Sequence, residues 1–194
     1  MYKITIAGKE LSIETEGSLF SPKEADRGTL AMLGHVAFGK EDKVLDLGCG
    51  CGIVSLAAAA NGVDPENIVA TDVDPLAVKT TEKNMRANGF SGAVVVAGDA
   101  LTNVPGSDFD LILSNPPYHT DFKVAKTFIE KGFNRLKIGG KMYMVTKRKD
   151  WYKNKLISIF GGVRIFEEDG YFVFEAQKRT ASYAAQKPGK KGKK

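Results

Sequence analysis

The stretch VLDLGCGCGI, residues Val44 to Ile53, decides the fold. Val44 to Leu47 is a short apolar run broken only by Asp46, and it reads as a strand. Ile53 to Ala60, IVSLAAAA, reads as a helix. Gly48, Gly50 and Gly52 join the two. Glycine lets a backbone turn tightly and approach a ligand closely. The spacing is G-x-G-x-G, whereas a dinucleotide fingerprint is G-x-G-x-x-G. The third glycine comes one residue early and Ile53 takes its expected place, which disfavours a nicotinamide dehydrogenase.

Outward from this loop the chain alternates strand and helix. Strands are expected at 44–47, 67–71, 93–97, 109–114 and 141–146, and helices at 53–60, 75–88 and 121–136. Asp74-Pro75 starts the second helix and Gly89 ends it. The strands are apolar on both faces, as buried parallel strands are. Alternating units of this kind build an open, doubly wound α/β sheet. Ligands bind such a sheet at the carboxyl ends of its strands. Those ends carry Asp46 to Gly52, Asp72, Asp99 and Asn115 to Tyr118. Asp72 lies twenty residues after Gly52. An acid there accepts two hydrogen bonds from ribose hydroxyls. Asp99 is placed to accept from an adenine amine. Any one of these acids is also a reasonable helix cap, and Asp74 is assigned to that role before Pro75.

Upstream, YKITIAGKELSIET reads as a β-hairpin turning at Gly8-Lys9. SPKE, Ser21 to Glu24, is a capping-box pattern with proline at the first helical position, before a helix through Phe38. Downstream, a small helix follows Trp151, and VRIFEEDGYFVFEA reads as two strands meeting at Asp169-Gly170. Residues 1–176 are expected to form one domain, with 1–39 a hairpin and helix packed on it.

Of 194 residues 43% are hydrophobic and 26% charged, ordinary for a globular domain. No apolar run reaches a membrane span and no secretory h-region opens the chain, so no membrane partner is expected. Cys49 and Cys51 are too close for an ordinary disulfide, and no Cys or His is spaced for a metal. A reduced, cytoplasmic setting is expected. The net charge of +5 is uneven: residues 177–194 carry seven Lys or Arg and no acid, so 5 − 7 leaves −2 for residues 1–176. This tail is expected to be disordered and to tether nucleic acid electrostatically.

The run DLILSNPPYHTD, Asp110 to Asp121, ends an apolar strand in Asn-Pro-Pro-Tyr. Two prolines fix two φ angles and remove two donors, and Asn115 before Pro116 is held extended. Such a loop aims acceptors in fixed directions, although a rigid loop needs no further purpose.

VLDLGCGCGI, ATDVD, AGDAL and LSNPPY, in that order, resemble the class I S-adenosylmethionine-dependent methyltransferases over about residues 40–176. The resemblance implies a Rossmann-like, seven-stranded, mostly parallel sheet of order 3-2-1-4-5-7-6 with the last strand antiparallel. It implies S-adenosyl-L-methionine as cofactor. Asp46 and the loop Gly48, Cys49, Gly50 and Gly52 would receive its methionine part, Asp72 its ribose and Asp99 its adenine, with Val73, Ala100 and Asn115 also at the cofactor. N-P-P-Y looks like the mark of transfer to a planar, conjugated nitrogen. The Asn115 side-chain oxygen and the Pro116 carbonyl would accept the amine's N–H groups, and Tyr118 would stack on the flat substrate. Pro117, Tyr118, Lys147, Arg148 and Lys149 would contact that substrate, with Trp151 beside it; His119 is assigned to the loop.

GSLFSPKEADRGTLAML narrows the family. Phe20, Ser21, Asp26, Gly28 and Thr29 resemble the catalytic domain of small-subunit ribosomal RNA guanine-N2 methyltransferases. Two-domain members carry a degenerate half before the catalytic one. This chain has some forty residues there and looks like a short, single-domain form. Ribosomal RNA or the small ribosomal subunit is then the expected partner, with oligomeric state open. Glutamine methylation of a release factor, adenine-N6 methylation of nucleic acid and a non-catalytic RNA-binding module are the alternatives.

Overall fold

The computed structural model describes residues 1–15, 24–117 and 122–184. β3 (Val44–Leu47) is buried along its whole length at the middle of a seven-stranded sheet. β4 (Ile68–Asp72) and β5 (Val94–Ala97) lie on one side of it. On the other lie β6 (Phe109–Ser114), β7 (Leu136–Thr146), β9 (Tyr171–Gln177) and β8 (Arg164–Glu168). The order is β5-β4-β3-β6-β7-β9-β8. Counted from β3 it is the expected 3-2-1-4-5-7-6, and β9 runs antiparallel to both neighbours. The chain reverses its winding between β3 and β6, which opens a crevice at their carboxyl ends.

The helices divide over the two faces. α2 (Ile53–Ala60) and α3 (Pro75–Ala87) share one core with the short α1 (Arg27–Leu33) and the first hairpin. α4 (Lys123–Arg135) and α5 (Lys149–Phe160) cover the other. α1 is shorter than the expected helix, and its cap differs. Asp26 is the N-cap and accepts from the Thr29 amide at 2.8 Å. Ser21, of the expected capping box, lies outside the described residues, as does Phe20.

β1 (Tyr2–Ile6) and β2 (Lys9–Ile13) turn at Ala7-Gly8, one residue before the expected position, with φ of 50° and 73°. The second hairpin turns at Asp169-Gly170 as expected, with φ of 49° and 78°. Both are the paired positive angles that suit strand twist. Two asparagines of the α3 region tie the first hairpin to the domain. Asn88 exchanges hydrogen bonds with the backbone of Ser12 (2.9 and 2.8 Å), and Asn84 with that of Glu14 (2.8 and 2.8 Å). Each amide imitates a neighbouring strand, so β2 docks on a helix through ladder-like bonds.

β7 begins five residues before the expected Lys141. A register shift opposite Phe109 to Leu111 absorbs the added length. The domain also runs past residue 176. Gln177 ends β9, and the Lys178 amide donates to the Gly140 carbonyl. The Lys178 ammonium is buried, donates at 2.6 Å to the Leu136 carbonyl and sits over the Phe133 ring. It thereby closes the carboxyl end of α4, where a cation is favoured. Tyr183 packs edge-on against Phe133 and donates to the Glu130 carbonyl at 3.0 Å. Lys178 and Tyr183 thus pack on α4 rather than trailing from the fold, and residues 185–194 lie outside the described residues. Among the described residues no helix is long and apolar enough to cross a membrane.

Candidate active site

The crevice is a cleft of about 520 Å3 at the carboxyl ends of β3, β4, β5 and β6. Asp46, Gly48, Cys49, Gly50, Asp72, Val73, Asp99, Ala100, Asn115, Pro116 and Pro117 all line it. Four separate strand ends therefore converge as expected. Tyr118 and His119 lie outside the described residues.

The loop after β3 is held from two sides. The amides of Gly48 and Cys49 both donate to the Thr71 carbonyl, at 2.9 and 3.0 Å. Gly50 stands at φ 57°, where no side chain would meet a neighbour and only the backbone conformation demands glycine. Its amide donates to Asp72 Oδ2 at 3.0 Å, and the Asp74 amide donates to Asp72 Oδ1 at 3.0 Å. One carboxylate thus anchors the loop while its remaining lone pairs face the cleft. Asp74 accepts from the Leu76 amide and caps α3, as expected.

Gly52 does not line the cleft. It stands at φ 86°, and a Cβ there would meet Thr81 Cγ2 at 2.9 Å. Its glycine serves the packing of α2 against α3, so its place is behind the site rather than in it. Cys49 and Cys51 are buried, and burial pushes both thiols up, leaving neither as a ready nucleophile.

Asp46 is 2% exposed. Its Oδ2 accepts from the Ser55 amide at 3.0 Å and the Ser55 hydroxyl at 2.7 Å. Burial raises its pKa to about 7, the two Ser55 bonds oppose that shift, and the Asp72 charge adds to it. An incoming cation would favour the ionised form. Val73 lines the cleft and is 72% exposed. Asp99 is exposed beside the buried Ala100.

At the far end Ser114 Oγ donates to the Leu47 carbonyl at 2.7 Å, which pins the end of β6 to β3. The next residue, Asn115, gives Nδ2 to Asp26 Oδ2 at 2.7 Å and to Thr29 Oγ1 at 3.0 Å. Both partners line the cleft from the start of α1. Gly28 lets α1 come this close, since a Cβ on it would stand 2.7 Å from the Tyr171 ring. D-R-G-T in the sequence is therefore a cap, a close approach and two amide partners in four residues. The pattern was visible at the sequence level, but nothing local linked it to Asn115, 89 residues on.

Among the described residues three buried side-chain polar atoms are under-satisfied: Thr71 Oγ1 and Asn115 Oδ1 lack a partner, and Tyr2 OH meets only the weakly bonding Cys51 thiol. All three belong to residues that line this cleft. Buried polar atoms are nearly always bonded, so orphans gathered at one cavity fit a polar ligand. Tyr2 enters from the docked first hairpin, a contribution that the sequence pattern did not signal.

Lys147, Arg148 and Lys149 are exposed at the end of β7 and do not line the cleft. Their charges lie over the rings of Tyr171 (4.8 Å), Phe122 (5.1 Å) and Phe172 (4.9 Å) respectively. Trp151 is half-buried and stacks on Phe122 at 4.3 Å. These residues form a cationic, aromatic face beside the site.

A parallel sheet of this order, with a glycine loop, a ribose-type acid and N-P-P at successive strand ends, has the architecture of the class I methyltransferases. The chain belongs to the methyltransferase small domain family, which matches residues 10–175. It is 33% identical over 167 residues to the ribosomal RNA small subunit methyltransferase C of Cronobacter sakazakii, covering 84% of this chain and 48% of that protein. It is 31% identical to the same-named protein of Shewanella loihica, covering 92% and 52%. Among solved structures, a T. thermophilus 16S rRNA guanine-N2 methyltransferase in complex with AdoMet and guanosine superposes with a TM-score of 0.83 at 27% identity, covering 92% and 50%. The chain spans about half the length of the curated relatives that it matches.

Proposed function

We propose that this chain is an S-adenosyl-L-methionine-dependent N-methyltransferase acting on guanine N2 of small-subunit ribosomal RNA. The observation that carries the reading is Asn115 Oδ1, a buried acceptor without a partner beside Pro116 in a preformed cleft. The cleft's volume falls within the range of small-molecule sites. Asp46 would face the cofactor's ammonium, Asp72 its ribose hydroxyls, and Val73, Asp99 and Ala100 its adenine. When bound, the cofactor supplies a methyl group on a positively charged sulfur.

A guanine N2 lone pair is delocalised into the ring and is a poor nucleophile. Asn115 Oδ1 and the Pro116 carbonyl accept its two N–H bonds, which favours a pyramidal nitrogen with its lone pair directed at the methyl. Pro116 and Pro117 keep these acceptors from drifting. The nitrogen's proton becomes acidic only once the methyl is attached and would then be lost to solvent, so catalysis is orientation and electrostatic preorganisation, without a strong base before attack. Tyr118 is proposed to stack on the extruded base. The cationic face of Lys147, Arg148 and Lys149 is proposed to take phosphates outside the cleft.

Guanine presents N1–H beside its N2 amine, so a site for it would offer a further acceptor, whereas adenine and glutamine place an acceptor beside the amine and need a donor in return. The supporting experiment incubates the full chain with methyl-labelled cofactor and small-subunit RNA, naked or in subunits. Label in N2-methylguanosine after digestion is the expected result. Label confined to N6-methyladenosine, or to a release-factor glutamine in a parallel reaction, would overturn the assignment.

A further inference from the structure

We infer that Asp26 and Thr29 form a clamp that fixes the Asn115 amide with its nitrogen toward α1 and its oxygen away from it, and that Asp26 is a positioning residue for the reaction proposed above. Three groups close a ring of hydrogen bonds. Asn115 Nδ2 donates to Asp26 Oδ2 at 2.7 Å and to Thr29 Oγ1 at 3.0 Å, and Thr29 Oγ1 donates to Asp26 Oδ2 at 3.3 Å. The direction of each bond follows from chemistry. An ionised carboxylate only accepts, so the Asn115 atom that faces it must be the nitrogen. The threonine proton goes to the carboxylate, which leaves the hydroxyl oxygen to accept the second amide proton.

Both Nδ2 protons are then committed, and Asn115 has no donor left for a substrate. Rotating the amide by 180° would set its oxygen against the Asp26 carboxylate and cost both bonds at once. Charge-assisted bonds of this kind are about twice as strong as neutral ones. The Asn115 oxygen is left buried and unpartnered among the described residues. Asp26 thus fixes which face of Asn115 the substrate meets, from 89 residues away in sequence.

Asp26 has a second, structural role as the N-cap of α1, accepting from the Thr29 amide at 2.8 Å. The test separates the two roles. Serine and asparagine both cap helices well, so Asp26→Ser and Asp26→Asn keep the cap. Neither keeps an acceptor-only group against Asn115. Single-turnover methyl transfer to small-subunit RNA is expected to fall ~10- to 100-fold in both, as loss of part of a preorganised network does. Cofactor affinity is expected to stay within about twofold. Thr29→Ser is expected to retain most of the rate and Thr29→Val to lose ~10-fold. In an Asn115→Ala background Asp26→Asn is expected to add nothing, because the group it positions is gone. Rates within about threefold of wild type for Asp26→Asn, or losses that multiply in the double variant, would overturn the clamp.

A substrate-free measurement keeps the two readings distinguishable. In 15N-labelled full-length protein without cofactor, the Asn115 side-chain amide protons are expected to exchange slowly, and Asp26→Ser is expected to speed exchange at least ~10-fold, a loss of the bonds that protect them. Fast exchange in wild type would refute the clamp whatever the substrate. Slow exchange with no N2-methylguanosine formed by wild type would retain the clamp and refute the proposed function.

Discussion

Asp46 makes cofactor binding a titration. Its carboxyl is buried with a pKa of about 7 in the free protein, and pairing with the cofactor's ammonium requires the ionised form. The affinity is then expected to track the ionised fraction. At pH 8 that fraction is about nine-tenths, and at pH 5.5 about 3%, from a pKa near 7 and one proton. Affinity should therefore fall about 30-fold between those pH values, close to tenfold per unit below 7. Calorimetry at pH 6 in two buffers of different ionisation heat should show close to one proton released per cofactor bound. The free protein should respond oppositely. Its Asp46 pKa is raised by folding, so the contribution of this group to stability is fullest below the ordinary aspartate value. It is lost as pH rises through about 7. Without cofactor the melting temperature should fall from pH 5 toward pH 7 relative to an Asp46→Asn variant, at ~1.4 kcal/mol per pH unit and ~2–4 °C per kcal/mol. Affinity that is flat from pH 5.5 to 8, with no buffer-dependent heat, would refute both the pairing and the raised pKa as its cause.

Asp72→Asn is expected to weaken cofactor binding by about 10- to 100-fold in calorimetry, since a charged acceptor is replaced by an amide; unchanged affinity would remove Asp72 from the ribose. Asn115→Ala should lower single-turnover transfer ~10²- to 10³-fold with cofactor affinity near wild type, and a rate within a few-fold of wild type would make Asn115 structural. Gly28→Ala would drive a Cβ to 2.7 Å from the Tyr171 ring, so unfolding should show ~1–3 kcal/mol of destabilisation, relieved by Tyr171→Leu if the ring is the obstacle. Deleting residues 185–194 removes five lysines, so the salt slope of RNA binding should fall by up to ~3.5 units with the melting temperature unchanged. Deleting from Lys178 should also lower the melting temperature, because Lys178 and Tyr183 pack on α4. Equal melting of the two truncations would contradict that packing.

Much of the fold was legible because its signals are local. A strand, a glycine turn and the start of a helix occupy the ten residues from Val44 to Ile53, and β3 and α2 form within the expected bounds. Asp169-Gly170 carries its hairpin turn in two residues. The meeting of the strand ends at one cleft was legible for a related reason. In a parallel sheet every strand's carboxyl end lies on one edge, so residues that end successive strands are neighbours by topology. The errors occurred where a residue's role depends on an element far along the chain. Gly52 looked like loop chemistry, yet Thr81 on α3 explains it. The expected boundary at 177 rested on composition, but Phe133, Glu130 and Leu136 give Lys178 and Tyr183 partners that composition does not contain.

By itself the sequence determined the α/β class, the strand order through its family resemblance, and the set of strand ends that line the cleft. Periodicity, turn residues and caps act over a few residues and are written where they act. Tertiary structure decided how the site's polar groups face. It brought Tyr2 of the first hairpin into the cleft, buried Asp46 deeply enough to move its pKa, and set Asp26 and Thr29 against Asn115. Burial and hydrogen-bond direction are properties of neighbours in space. Until α1 packs on the sheet, Asn115 has two equivalent ways to turn its amide. Once it packs, a carboxylate that can only accept leaves one.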